Sequence, residues 1–327
     1  MSNNLIKKIL LGKKKEIMKC NILCIGDIIL DHYVYGRIER MSPEAPIPVL
    51  SFDNESYRLG GAGNVARNLS SLGVKCDLIH FAGKDLTSKI IKQLISKENR
   101  IKQIKINLIN YKVPIKKRYI NKGSHLIRVD KENKNIKLSK NFKKKILEVV
   151  KKHIKKNDIV ILSDYNKGFF DKSLIQEIVK IASKHKKSII ADPKKNDLSN
   201  YSGINLITPN QKEIEDAAGK HLKRKNDILK FCRKIMVKYN IDEILLTRSE
   251  KGMILIGSNY SKNLKAYSRK VVDVTGAGDT VIAILALMKA LGINTQVSAD
   301  ISNYAAGLTV VKEGTSTNTY DELISEK

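Results

Sequence analysis

Residues 273–280 read Asp-Val-Thr-Gly-Ala-Gly-Asp-Thr, and a largely apolar run without glycine or proline, Val281 to Leu291, follows at once. Such a run predicts a buried helix, with Gly276, Ala277 and Gly278 at its N-terminus and Asp279 beside them. Free backbone N–H groups and the positive end of the helix dipole make that terminus an anion site, and glycine lets a phosphate approach the main chain closely. Asp279 then has two readings. It caps orphan N–H groups, or it is a general base beside an anion hole, the pairing that phosphoryl transfer to a hydroxyl requires.

Three further clusters carry potential chemistry. Gly60-Gly61-Ala62-Gly63-Asn64 contains the G-x-G-x-x-A pattern of a dinucleotide fingerprint in Gly61, Gly63 and Ala66. The fingerprint needs an apolar strand running into its first glycine, and Ser56-Tyr57-Arg58-Leu59 reads as a poor one. A glycine turn that brings backbone and the Asn64 amide against a polyhydroxyl ligand fits better, with a purely structural turn as the alternative. Asp27 and Asp31 flank the end of the first strand, where ligands of open α/β sheets bind; they accept hydrogen bonds from sugar hydroxyls or are solvated loop acids. Asn210 and Glu213 stand one helical turn apart, a pair that can hold a hydrated Mg2+ or close an N-terminal capping box.

A chain of 327 residues suffices for one large α/β domain or two small ones. The formal charge of +28 could suggest nucleic acid. The lysines are spread over the whole chain, tryptophan is absent and no basic stretch alternates with stacking aromatics, so no nucleic-acid partner is expected. Cys20, Cys24, Cys76 and Cys232 show no paired CxxC spacing and the histidines are scattered, which argues against a zinc site and a disulfide framework. Reduced thiols in the cytoplasm fit best. No apolar run reaches the length of a membrane span. Met1 to Met18 places Leu5, Ile6, Ile9, Leu10 and Leu11 among lysines, which predicts a basic amphipathic helix packed on the domain, or a loose tail, rather than a membrane anchor. Residues 1–19 are therefore set apart as a basic N-terminal segment, and 20–327 as one domain.

Alternating periodicities supply the elements that must position these residues. Strands are expected at Asn21–Gly26, Cys76–Ala82, Asp158–Ser163, Ser188–Asp192, Ile204–Thr208 and Glu243–Thr247. Helices are expected at Asn64–Leu72, Thr87–Ser96, Ser173–His185, Glu213–Ala218 and Ile228–Tyr239. Repeated strand–helix units argue a mostly parallel, doubly wound sheet with helices on both faces. Tyr33 to Tyr57, with Pro43, Pro46 and Pro48 in a turn, and Ile115 to Val129 lack helical periodicity. They read as β excursions from about 33–58 and 112–130 that pair as a small lid, which would exclude water from a transfer reaction, or as two hairpins without a role.

The order Gly-Asp-x-x-Leu-Asp, Gly-Gly-Ala-Gly-Asn, Asn-x-x-Glu and Asp-Val-Thr-Gly-Ala-Gly-Asp-Thr resembles the ribokinase-like (PfkB) carbohydrate kinases over about residues 20–320. That resemblance implies a ribokinase-like three-layer α/β/α sandwich with a small β lid. Four segments are similar, more finely, to the bacterial D-glycero-β-D-manno-heptose 7-phosphate kinases: Arg40 to Val49, Leu162 to Gly168, Asp192-Pro193-Lys194 and Gly314-Thr315-Ser316-Thr317. The likeness implies ATP-dependent phosphorylation of the anomeric C1 hydroxyl, giving the 1,7-bisphosphate on the way to ADP-heptose for lipopolysaccharide cores.

By the same likeness Asp279 is the base and the N–H groups of Gly276, Ala277 and Gly278 stabilise the transferred phosphoryl. Asn210 and Glu213 serve Mg2+ and the ATP phosphates, and Thr247, Gly252 and Asn303 form the adenosine pocket. Asp31, Gly61 and Asn64 grip the sugar. Lys116, Arg118 and Lys194 are the candidates for its 7-phosphate, Arg as a bidentate fork and Lys as a point charge.

Relatives of this kind form homodimers through the lid and are often fused to a nucleotidyltransferase, so a separate nucleotidyltransferase is expected for the adenylyl step. Val113-Pro114 stands where the family commonly has Thr-Thr. The other readings are a nicotinamide oxidoreductase, a noncatalytic sugar-binding protein, and another kinase of the superfamily, of ribokinase or fructose 1-phosphate kinase type. A P-loop kinase is excluded, because no G-x-x-x-x-G-K-[ST] occurs.

Overall fold

The computed structural model describes residues 1–133, 136–194, 197–267 and 271–325. Helices α1 (Asn3–Gly12) and α2 (Lys14–Lys19) lead into strand β1 (Asn21–Gly26). A long hairpin, β2 (Ile28–Met41) and β3 (Pro48–Gly61), precedes α3 (Ala62–Ser71), β4 (Lys75–Ala82), α4 (Leu86–Ser96) and β5 (Ile101–Asn107). A second hairpin, β6 (Ile115–Asn121) and β7 (Ser124–Lys131), precedes α5 (Lys140–Ile154), β8 (Ile159–Ser163), α6 (Lys172–Lys184) and β9 (Ile189–Asp192). Next come β10 (Leu206–Ile207), α7 (Gln211–Ala218), α8 (Lys225–Tyr239), β11 (Glu243–Thr247), β12 (Met253–Ile256) and β13 (Ser261–Leu264). Helices α9 (Ala277–Ala290), α10 (Thr295–Thr309) and α11 (Tyr320–Ser325) close the chain.

The main sheet has nine strands in the order β13-β12-β11-β10-β9-β8-β1-β4-β5. Pairing is parallel from β5 to β11 and antiparallel for β12 and β13. Helices on both faces bury the central strands, which is why β1 and β8 read as continuous apolar runs, Ile22-Leu23-Cys24-Ile25 and Ile159-Val160-Ile161-Leu162, instead of alternating. On one face α9 packs against both α3 and α10. Helix α9 is apolar all round, as a helix buried in the layer must be.

The small sheet runs β3-β2-β6-β7. The pairing expected between the two non-helical stretches is made by β2 and β6, in parallel, with Asp31 opposite Lys116 and Tyr33 opposite Arg118. Strand β2 starts directly after Asp27, earlier than expected, because the apolar Ile28-Ile29-Leu30 continues as a buried strand in this second sheet.

The glycine cluster also differs from expectation. Strand β3 does run into Gly60 and Gly61, so a strand leads into that pattern after all, but it belongs to an antiparallel hairpin and not to the parallel unit a dinucleotide fingerprint needs. The turn is reduced to Gly61, at φ +58°, and α3 begins at Ala62. At the N-terminus α1 packs on α11, with Ile6, Leu10 and Ile17 buried in the main core and Tyr320 donating to the Leu10 carbonyl at 3.0 Å. Among the described residues no helix is long and apolar enough to cross a membrane.

Candidate active site

The site forms where β1, β8 and β9 end. Strands β1 and β8 approach closely at Gly26, where a Cβ would lie 2.1 Å from the Ser163 carbonyl oxygen. Asp27 then turns inward. Its carboxylate accepts the backbone N–H groups of Tyr165, Lys167 and Phe169, each at 3.0 Å. Asp27 therefore holds the loop after β8, which corrects its reading as a sugar ligand or a solvated acid. Burial, with Asp164 nearby, pushes its carboxyl up to about 7 against those three hydrogen bonds.

The loop that Asp27 holds presents Tyr165, whose hydroxyl donates to Asp279 Oδ1 at 2.5 Å. From α3, Asn64 Nδ2 donates to Asp279 Oδ2 at 2.8 Å. Asp279 is only 3 % exposed. Both of its hydrogen bonds come from side chains distant in sequence and no side-chain cap closes the start of α9, so the capping reading does not describe it. Burial pushes its carboxyl up to about 7, opposed by Tyr165 and Asn64. A carboxyl with that value is poised to exchange a proton near neutral pH.

The loop before α9 is braced by Asp273, which accepts from the Thr275 N–H and hydroxyl and from the Gly314 N–H. Gly276 sits at φ +85° as the residue preceding the helix, and a Cβ there would lie 2.7 Å from Asn64 Nδ2. A Gly276→Ala substitution is thus expected to cost about 1–2 kcal/mol of stability through the left-handed backbone, and to push the Asn64 amide off Asp279. Urea unfolding and turnover of the same variant check the two effects separately.

Asn210 and Glu213 form the capping box at the start of α7, with Asn210 Oδ1 accepting from the Glu213 N–H at 2.9 Å and Glu213 Oε2 from the Asn210 N–H at 2.8 Å. The other Glu213 oxygen faces Lys194, whose ammonium lies 2.8 Å from it and 3.4 Å from Asp192 Oδ2. Burial opposes the charge on Lys194, but Asp192 and Glu213 outweigh it and hold the ammonium well above its ordinary range.

Asn210, Thr247, Gly252, Asn303, Gly276, Ala277, Gly278, Asp279 and Lys194 line one cavity of about 420 Å3. Thr247 bridges to Asn210 from the end of β11. Gly252 is at φ +75°, where a Cβ would run into the Leu264 carbonyl. Asn303 donates to the Lys265 carbonyl at 2.7 Å. Ala306, Gly307, Val310 and Tyr267 give the same cavity an apolar portion.

The remaining candidates cluster where the small sheet meets α3. Arg118 Nη1 donates to Asp31 Oδ1 at 2.6 Å, both side chains being buried. Gly60 leaves room for Asp31, since a Cβ there would lie 2.4 Å from its Oδ2, and a Cβ on Gly61 would lie 2.4 Å from the Asp27 carbonyl oxygen. The Lys116 ammonium stands 5.3 Å from the Tyr165 ring centre, and burial lowers its pKa with Asp31 opposing. Lys194, grouped by sequence with Lys116 and Arg118, stands instead between Asp192 and Glu213, although it shares the Tyr165 ring at 5.5 Å. Among the described residues Asn64 Oδ1 is buried without a hydrogen-bond partner. Sequence reasoning gave Tyr165 and Asp192 no role. The available signal was their position just beyond the carboxyl ends of parallel strands.

A doubly wound sheet with helices on both faces and a small second sheet beside the strand ends is a ribokinase-like α/β/α sandwich. It superimposes on phosphofructokinase-2 from Escherichia coli with a TM-score of 0.78 at 18 % identity, covering 93 % of this chain and 96 % of that one. A ribokinase from Arabidopsis thaliana complexed with ribose and ATP gives 0.72 at 18 % identity, covering 94 % and 99 %. Residues 19–322 match the sequence model of the pfkB family carbohydrate kinases, and the chain belongs to that family of sugar phosphotransferases. It is 39 % identical over 308 residues to the Bifunctional protein HldE of Aliarcobacter butzleri, which covers 93 % of this chain and 64 % of that protein. It is 41 % identical over 305 residues to the Bifunctional protein HldE of Helicobacter acinonychis, covering 92 % and 65 %. The chain thus spans just under two thirds of the length of these curated relatives.

Proposed function

We propose that this chain phosphorylates D-glycero-β-D-manno-heptose 7-phosphate at its anomeric C1 hydroxyl with ATP, giving the 1,7-bisphosphate used for ADP-heptose. The observation that carries the chemistry is Asp279, a buried carboxylate held by two donors at the start of α9, between a cavity of about 420 Å3 and a cluster of polar side chains. The heptose assignment draws on the Ser-Pro-Glu-Ala-Pro and Ser-Asp-Tyr-Asn-Lys-Gly segments, and the similarity to the HldE proteins supports it.

In this reading Asp279 takes the proton of the C1 hydroxyl as that oxygen attacks the γ-phosphorus, whose bond to the β–γ bridging oxygen breaks so that ADP leaves. The N–H groups of Gly276, Ala277 and Gly278 meet the charge developing on the transferred phosphoryl, a stabilisation whose loss typically costs on the order of 3 kcal/mol. Asp31, Gly61 and Asn64 hold the sugar, with the unpartnered Asn64 oxygen receiving a hydroxyl. Lys116 and Arg118 neutralise the 7-phosphate. Lys194 is reassigned to the phosphoryl side. Thr247, Gly252 and Asn303 shape the adenosine pocket, whose apolar portion suits a flat base.

The residues fit a magnesium ion. An ammonium already lies between the Asp192 and Glu213 carboxylates, so the site is built for positive charge, and Mg2+ needs few protein oxygens because it retains waters. Asn210, Glu213 and Asp192 would hold it. When bound it supplies charge neutralisation at the phosphate oxygens. The small sheet closes over the sugar and, through exposed residues such as Phe52 and Ile127, forms the homodimer contact. The reduced, buried thiols suit the cytoplasm.

The pH dependence follows from Asp279. Only the ionised carboxylate accepts a proton, so kcat/KM should fall as pH drops through about 7. A limb near pH 4 would mean that the group is unperturbed or is not the base.

ADP release by purified protein with ATP and Mg2+ tests the assignment against heptose 7-phosphate, ribose, fructose 6-phosphate and fructose 1-phosphate. Heptose-dependent release supports the proposal. Turnover on another sugar retains the transfer chemistry and discards the heptose.

A further inference from the structure

Tyr165 lies outside the glycine and Asn-x-x-Glu motifs, yet its side chain meets three of the charged groups of the site. Its hydroxyl donates to Asp279 at 2.5 Å, and its ring stands 5.3 Å from the Lys116 ammonium and 5.5 Å from that of Lys194. An aromatic face attracts ammonium groups electrostatically, and an O–H donated to a carboxylate favours the ionised form. The loop beneath it is locked by Asp27 and by Asp164, which accepts the Asn166 N–H at 2.8 Å. Burial and the adjacent Asp279 push the phenol well above its ordinary range, so it stays protonated and remains a donor.

We propose that Tyr165 is a positioning residue for the transfer: its hydroxyl fixes the orientation and basicity of Asp279, while its ring spaces the sugar-side Lys116 from the phosphoryl-side Lys194. This rests on Asp279 being the base. The groups facing Asp279 are Tyr165 and Asn64 by hydrogen bond, Asp192 and Lys194 from the end of β9, Lys116 from β6 and Cys24 from β1. Burial and Asp192 raise its pKa; Tyr165, Asn64 and Lys194 lower it. Loss of the tyrosine hydroxyl removes a lowering contribution, so the carboxyl should titrate above its present value and the acid limb should move to higher pH.

The test is the kcat/KM profile of Tyr165→Phe, in the full chain, on whichever sugar the unaltered protein turns over. A hydrogen bond to a charged group translates to a limb raised by about one pH unit, hence a loss of roughly fivefold at pH 7 that approaches about tenfold at lower pH and shrinks toward pH 9. KM for ATP and sugar should stay within a few-fold. An equal loss at every pH, with the limb in place, would overturn the proposal. Should the Phe variant not fold, 3-fluorotyrosine at position 165, a stronger donor of nearly the same shape, should lower the limb, and an unmoved limb is again contrary. Asp279→Asn separates the two assignments. Near-parental turnover in that variant refutes the base itself, whereas an Asp279→Asn slowed by about two orders of magnitude beside an unmoved Tyr165→Phe limb refutes Tyr165 alone.

Discussion

Asp279→Asn is expected to lower kcat by about two orders of magnitude or more while ATP and sugar bind within a few-fold. The amide preserves shape but cannot take a proton. Tyr165 can still donate to its oxygen, and Asn64, whose Oδ1 has no partner, can turn its amide to receive the new N–H. Stability should move the other way. The folded-state pKa of Asp279 lies at about 7, above its ordinary 3.8, so ionising it disfavours the folded state. That cost is absent below pH 4, grows between the two values and is complete above pH 7. The variant should therefore melt higher than the parent at pH 8 and equal it at pH 4, as expected for a residue that trades stability for activity. Rates with saturating substrates, and Tm at both pH values, check the two halves; near-parental turnover would refute the base assignment.

Asp27→Ala should produce the largest loss of stability. Three backbone N–H groups lose their acceptor at once in a buried place. Each unsatisfied buried donor costs about 1–3 kcal/mol, so a total of about 3 kcal/mol or more is expected. Activity should fall as well, because the loop that presents Tyr165 to Asp279 loses its anchor. Denaturant unfolding measures the first effect. Hydrogen exchange at the Tyr165, Lys167 and Phe169 amides, protected in the parent and fast in the variant, locates it. Unchanged protection would show that the loop is held by other contacts.

Helix α9 with a glycine-flanked start and a buried Asp279 was legible because glycine, acid and an apolar run coincide within a few residues. The capping box at Asn210 and Glu213 was legible for the same local reason, as one of two readings. What sequence could not join were partners brought together only by the sheet. Tyr165 and Asp279 are 114 residues apart, and no spacing rule relates them. The pairing of Lys194 with Asp192 and Glu213 was not legible, because a lysine carries no mark of which carboxylates will surround it.

Lysine excess also hid elements. Strand β5, Ile101-Lys102-Gln103-Ile104-Lys105-Ile106-Asn107, alternates weakly, and α5 keeps Phe142, Ile146, Val150 and Ile154 on one stripe amid charge. Helix α10 escaped for the opposite reason. It buries small residues such as Ser298, Ala299, Ser302, Ala305 and Ala306, which allow close approach to α9 but give a faint apolar period. Strand β3 was legible as the second arm of the β excursion at 33–58, but it runs on to Gly61, its place being set by pairing with β2.

Transfer to the anomeric oxygen is tested by a proton-coupled 31P spectrum of the product formed from heptose 7-phosphate, ATP and Mg2+. Besides the 7-phosphate and ADP signals, a new resonance split by the anomeric proton is predicted, growing with the parent protein and about a hundredfold or more slower with Asp279→Asn. A new phosphate on any other carbon, or consumption of ATP without a second sugar phosphate, would contradict the account.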